Sequence, residues 1–159
     1  GSGQLGQGDT NDRGDDANEM GDNLNFIYVG TGHTVKDFFV GDNSVCAIRD
    51  DDSLVCWGSG NFGILGRGDT TNIGNEANEM GDNLIAVDLN GNIPVQLSMS
   101  QYSGGNGAEG HHTCALMSNS DVKCWGANTT GQLGLEDEDH RGDDAGEMGV
   151  NLPVVDIQW

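Results

Sequence analysis

The chain is predicted to be all-β, a series of repeats of four-stranded antiparallel sheets arranged as β-propeller-like blades, about two and a half units in all. Three observations carry that reading. An acidic, glycine-rich loop, GQLGQGDTNDRGDDANEMGDNL from Gly3 to Leu24, returns from Gly63 to Leu84 and again from Gly131 to Leu152. A hairpin bracketed by cysteines, CAIRDDDSLVCW from Cys46 to Trp57, returns as CALMSNSDVKCW from Cys114 to Trp125. No stretch has the period of a long amphipathic helix. The loop recurs after 60 and then 68 residues, a spacing that fits propeller blades or a solenoid of small sheets.

Each repeat opens with the loop. Leu5, Leu65 and Leu133 align, as do Met20, Met80 and Met148, and these are expected to anchor the loops in the core. The loop glycines are needed where the backbone takes positive φ or approaches a neighbour closely. Two short strand candidates follow: Asn25 to Val29 and Val35 to Val40 in the first copy, Ile85 to Leu89 and Ile93 to Met99 in the second, bounded by glycine and asparagine turns. The hairpin adds two more strands. An eight-residue insertion, around Tyr102 to Gly107, lengthens the turn before the second hairpin. The expected units are residues 1–58, 59–126 and 127–159, the last a half repeat of one loop and one strand.

In both hairpins ten positions separate the cysteines. Folding about Asp51 or Asn119 sets Cys46 opposite Cys56, and Cys114 opposite Cys124, with cross-strand Cβ atoms roughly 4.5–5.5 Å apart. That is close to disulfide geometry. The competing reading is a zinc site, whose ligands usually come in closely spaced pairs that this sequence does not offer. Disulfides imply an oxidising compartment, so a secreted or cell-surface location is expected.

The charge narrows the partners. With 26 Asp plus Glu against six Lys plus Arg, the formal net charge is −20. A phosphate backbone needs a basic footprint, so nucleic acid is excluded as an expected partner. No apolar run is long enough to span a membrane. The chain begins Gly1-Ser2-Gly3 without an initiator methionine, so it is expected to be processed or part of something longer.

The acidic loops offer oxygen ligands for calcium, with Asp9, Glu19, Asp69, Glu79, Asp137 and Glu147 as the candidate residues. The alternative is a solvated acidic surface that keeps the protein soluble. Arg13-Gly14-Asp15 and Arg141-Gly142-Asp143 spell an adhesion tripeptide inside the repeat consensus. Asn128-Thr129-Thr130 is a glycosylation sequon, with a polar loop residue as the competing reading. The four histidines are scattered, and neither a serine nor a cysteine stands in a nucleophile motif.

The tract CALMSNSDVKCWGANTTGQLG, with its counterpart CAIRDDDSLVCWGSGNFGILG, resembles the repeat of the regulator of chromosome condensation family. Ala115, Leu116, Val122, Trp125, Gly126, Asn128, Gly131, Gln132, Leu133 and Gly134 sit on its pattern; in the first copy Ala47, Ile48, Val55, Trp57, Gly58, Gly63, Leu65 and Gly66 do so, with Ile64 in place of the glutamine. His112 matches a histidine that family members often carry before the alanine-leucine pair. The resemblance implies a β-propeller, usually of seven blades. The paired cysteines and long acidic loops depart from the nuclear members and are more like secreted microbial and algal versions.

The chain ends Leu152-Pro153-Val154-Val155-Asp156-Ile157-Gln158-Trp159 with no hairpin of its own for that strand. Leu152, Val154, Val155 and Ile157 are therefore the expected assembly strand, an open apolar edge for another chain to pair with. The function expected is non-enzymatic: an extracellular structural or assembly module, its partners copies of itself or adjoining repeats. A section of a closed propeller binding a protein or glycan is the alternative, and a nucleotide-exchange role comes third.

Overall fold

The computed structural model describes residues 1–100 and 111–157; the insertion around Tyr102 to Gly107 lies outside them. Among the described residues, six strands form two separate antiparallel sheets. Sheet 1 holds β1 (Val35–Val40), β2 (Ser44–Arg49) and β3 (Leu54–Gly58) in that order; sheet 2 holds β4 (Pro94–Met99), β5 (His112–Met117) and β6 (Val122–Gly126). The hairpin turns are built by short polar side chains. Asp51 accepts hydrogen bonds from the Ser53 N–H and hydroxyl, and the Asn119 carbonyl accepts the Asp121 N–H, bonds that substitute for ladder pairing at the bend. The register sets Cys46 opposite Cys56 and Cys114 opposite Cys124. Both pairs are disulfide-bonded, with Cα atoms 4.1 Å apart.

Each sheet has three strands where the sequence suggests four. The segments 25–29 and 85–89 are not strands of their own units. Residues 85–89 instead run beside β3 of the preceding unit, through a Val55–Ala86 bridge and a bond of 2.8 Å from the Val87 N–H to the Leu54 carbonyl. The short 3-10 turn Gly81–Asn83 delivers the chain to that position. The first apolar segment of unit 2 therefore edges the sheet of unit 1, and the two units are laced together.

The same rule corrects the reading of the last segment as an unpaired edge. The Val155 N–H donates to the Val122 carbonyl at 2.8 Å, so residues 153–157 lie along β6. Leu152 is buried, while Val154 and Ile157 face outward.

The loops pack as a third kind of layer. Loop 2 hydrogen-bonds to sheet 1 through Gly58 and Ile73, loop 3 to sheet 2 through Gly126 and Arg141. Each loop also docks on the next: the Gly8 N–H reaches the Gly74 carbonyl and the Gly68 N–H the Gly142 carbonyl. These approaches need glycine. At Gly63, φ is +74°, and a Cβ would run into the backbone of Gly142 and Asp143. The core lies between the sheets, built from Ile48, Leu54, Ile64, Leu65, Leu97 and Trp125 among others, with β1 and β4 in contact.

Candidate functional site

Unit 2 is covered on both sides, by sheet 1 ahead of it and loop 3 behind. Among the described residues none covers the leading face of unit 1. The contrast can be read at matched repeat positions. Leu5 is 41 % exposed and Leu65 0 %; Ile27 is 45 % exposed and Val87 7 %. Phe38 of β1 is 64 % exposed, whereas Leu97 of β4, which shares its place in the register, is 5 %. Phe26, Tyr28 and Val40 add to the exposed apolar surface.

Leu5, Ile27, Phe38 and Val40 line a cleft of about 580 Å³. Leu5 and Met20 come from loop 1, Ile27 from the following segment, Phe38 and Val40 from β1, and Trp57 from β3 forms part of the wall. Its position is fixed locally. The Trp57 indole N–H donates to the Gln4 carbonyl at 3.1 Å, as Trp125 donates to Ile64 at 2.9 Å. Loop 1 is thus held on sheet 1 by the contact that holds loop 2 on sheet 2. What it lacks is the sheet on its other side.

The acidic loops turn their carboxylates inward on themselves. One oxygen of Glu19 accepts the backbone N–H groups of Gly14, Asp15 and Asp16. Glu147 does the same for Gly142, Asp143 and Asp144, and Glu79 for Gly74 and Glu76. At Glu19 the N–H groups of Asp16 and Gly14 lower the carboxyl and favour its charged form. Asp9, Asp69 and Asp137 each cap a backbone N–H two residues on. Asp9 also pairs with Arg13 at 2.7 Å and Asp137 with Arg141 at 2.6 Å. The six candidate calcium ligands are therefore engaged as loop braces, and the arginines of both Arg-Gly-Asp tripeptides are tied down by the same pairs.

Asn128 is not a surface acceptor. It is fully buried; its amide nitrogen donates to the Asp137 carbonyl and carboxylate, and its amide oxygen accepts the Leu133 N–H. The backbone N–H of Asn128 donates to His140 Nδ1. A glycan would have to replace the bonds that fasten loop 3, so the sequon reading gives way to a structural one.

Among the described residues, a different group can converge on a metal ion: His33, Asp50 and Asp51. His33 Nδ1 lies 3.2 Å from Asp50 Oδ1. The hydrogen bond from His33, then that from the Thr34 N–H, lowers Asp50, and the Ser53 hydroxyl lowers Asp51. Hydrogen bonding accounts for these groups without an ion. The Val35–Arg49 pairing of β1 with β2 brings His33 to the turn.

The sequence profile of the family described as "Regulator of chromosome condensation (RCC1) repeat" matches residues 35–64 and 110–132. No curated protein sequence matches the chain. Among solved structures, it is similar to yeast RCC1 (Prp20), solved bound to Kap60, at 21 % identity and a TM-score of 0.42 over 58 % of this chain and 18 % of that one. Human WBSCR16 matches at 18 % identity and a TM-score of 0.49 over 68 % of this chain and 24 % of that one. The chain thus spans less than a quarter of the length of either structure.

Proposed function

We propose, for a chain that belongs to the regulator of chromosome condensation repeat family, that it is a non-enzymatic protein-interaction module whose open leading face takes a further three-stranded sheet of the same repeat type. The observation that carries the reading is the Phe38–Leu97 contrast: one repeat position, buried where a sheet precedes it and exposed where none does. The internal repeat supplies the template. What covers Leu65, Val87 and Leu97 is sheet 1, so a sheet of that kind fits the matching surface of unit 1. A glycan fits it poorly, because the cleft is walled by Leu5, Met20, Ile27, Phe38 and Val40 and a sugar needs hydrogen-bond partners there.

The repeating parts are the units 1–58, 59–126 and 127–159, laced by their first apolar segments. Two disulfides support a secreted or cell-surface setting. They also take up all four cysteines, leaving no thiol for nucleophilic chemistry.

A photo-reactive phenylalanine at position 38 tests the reading in material from the native source. The expected adduct joins position 38 to a peptide from a cysteine-bracketed hairpin of the repeat type. An adduct confined to unrelated peptides, or none at all, would overturn it.

A further inference from the structure

The step from each sheet into the loop behind it is fastened by one backbone N–H that reaches an acceptor 12 residues further on. After sheet 1 the Gly60 N–H donates to Asn72 Oδ1 at 3.0 Å; after sheet 2 the Asn128 N–H donates to His140 Nδ1 at 2.9 Å. The two bonds occupy the same repeat positions. They differ in one respect. An amide oxygen accepts at any pH, whereas Nδ1 accepts only while the imidazole is neutral and carries its proton on Nε2.

The surroundings of the two acceptors differ in step with them. Asp143, raised by burial and by the Glu147 charge, is in turn attracted to the charge of His140. The ring of Phe62, which sits at φ +55°, packs on His140 with centroids 5.3 Å apart and on His111, just ahead of β5, at 5.5 Å. Where the repeat has Asn72 in place of His140, it has Asn75 in place of Asp143 and Ser2 in place of Phe62. One junction is therefore built of groups that do not titrate, and the other of groups that do. The remaining charges near His140 are already engaged. Asp137 binds Arg141 at 2.6 Å, Arg141 donates to the carbonyl of His140, and Glu147 accepts the N–H groups of loop 3. His111 is a second imidazole on the Phe62 ring, and its charge opposes that of His140.

We infer that His140 is a pH-sensitive latch at the junction of sheet 2 and loop 3: neutral, it holds the Asn128 N–H, and charged, it releases that bond and pairs with the Asp143 carboxylate. A charged imidazole carries N–H groups on both nitrogens, so Nδ1 then meets the Asn128 N–H as donor against donor. The bond is present above the histidine range and lost as pH falls through it. Loop 3 stays on sheet 2, because the Gly126–Arg141 bonds and the Asn128 side chain do not involve the imidazole. The opening is confined to one junction, while the junction behind sheet 1 stays shut. It is independent of the leading face and of what docks there.

Amide hydrogen exchange of the full chain, read by NMR and corrected for intrinsic rates, follows both junctions in one sample from about pH 8 to about pH 5, the interval in which histidine changes charge. Protection at Asn128 is expected to fall about tenfold, the worth of one hydrogen bond, while Gly60 holds. His140→Asn installs the acceptor of the other junction and is expected to keep Asn128 protected throughout. Asn72→His is the reverse exchange and gives Gly60 the pH response; it decides the matter should the first variant fail to fold, which thermal melts check. Asp143→Asn removes the partner of the charged imidazole, so the fall at Asn128 is expected at lower pH. A flat Asn128 profile in the unaltered chain overturns the latch, as does a fall that persists in His140→Asn or a Gly60 profile that stays flat in Asn72→His. A midpoint unmoved by Asp143→Asn overturns Asp143 as the second partner.

Discussion

Units 1 and 2 share a loop, a sheet order, a disulfide register and a tryptophan clamp, yet one has a covered front and the other an open one. Leu5 and Leu65 are the same residue in the same motif, held by equivalent indole bonds, and only Leu65 is sealed from water. Burial in a repeat fold belongs to the interface between neighbours and not to the unit. A unit's stability is therefore partly held by the sheet that precedes it, and the difference between the two fronts is a measure of that share.

The broadest way to break the comparison is to remove what the two units share. Each disulfide closes a loop of ten residues, contributing on the order of 3 kcal/mol in the chain-entropy model. Reduction is expected to unfold both sheets, seen as loss of near-ultraviolet dichroism and a large fall in Tm. Unit 2 should respond first, because Cys114 is partly exposed whereas Cys46 and Cys56 are buried. Timed alkylation with mass spectrometry reads the order; simultaneous or reversed labelling would contradict it.

The matched leucines sharpen the comparison directly. Leu65→Ala empties a sealed site and is expected to cost about 2–5 kcal/mol, the range for buried leucine truncations. Leu5→Ala removes a half-exposed side chain and is expected to cost under about 1 kcal/mol. Denaturant melts of the two variants give the answer. Equal losses would mean that the front of unit 1 is covered in solution.

A smaller effect comes from the step between sheet and following loop, where the units differ in chemistry. After sheet 1 stands Gly60, whose N–H meets the Asn72 side chain; after sheet 2 stands the buried Asn128. Asn128→Ala takes their side-chain partner from the Leu133 N–H and the Asp137 backbone carbonyl, a loss of about 1–3 kcal/mol. Material from a glycosylating host should also change in mass only by the substitution, since the side-chain nitrogen is committed inside the fold.

Repetition made the hairpins, their cysteine register and the three loops legible in the sequence, because each was written twice or three times in phase. The partner of residues 85–89 was not legible. A short apolar segment with one bridge to β3 reads the same whichever sheet it edges, and the choice is made by the 3-10 turn ahead of it. The open front was hidden for a related reason: nothing in a leucine's own sequence context reports whether a neighbouring sheet stands over it. Asn128 was visible twice, as a sequon and as a position of the family pattern. Its alignment with Gly60, at the bend where the sheet passes into the loop, was the clue to its structural role.

The smallest effect separates the first loop from the last by the sign of its response to pH. Glu19 is lowered from its ordinary value of 4.5 by the backbone N–H groups it accepts. Its contribution is present above that value and lost as pH falls through the lower folded value, so loop 1 loosens in acid. Asp143 in loop 3 goes the other way. Burial, then the nearby Glu147 charge, raises its carboxyl, so its protonated form suits the folded loop and stability falls as pH rises through the raised value. Hydrogen exchange at Gly14 and at Asp143, followed from neutral pH into the acid range, should show protection falling at the first and held or rising at the second. A chelator should leave both profiles and the Tm unchanged, since the loops are braced by N–H groups and arginines. A chelator-induced drop in Tm would instead restore calcium as the group these carboxylates hold.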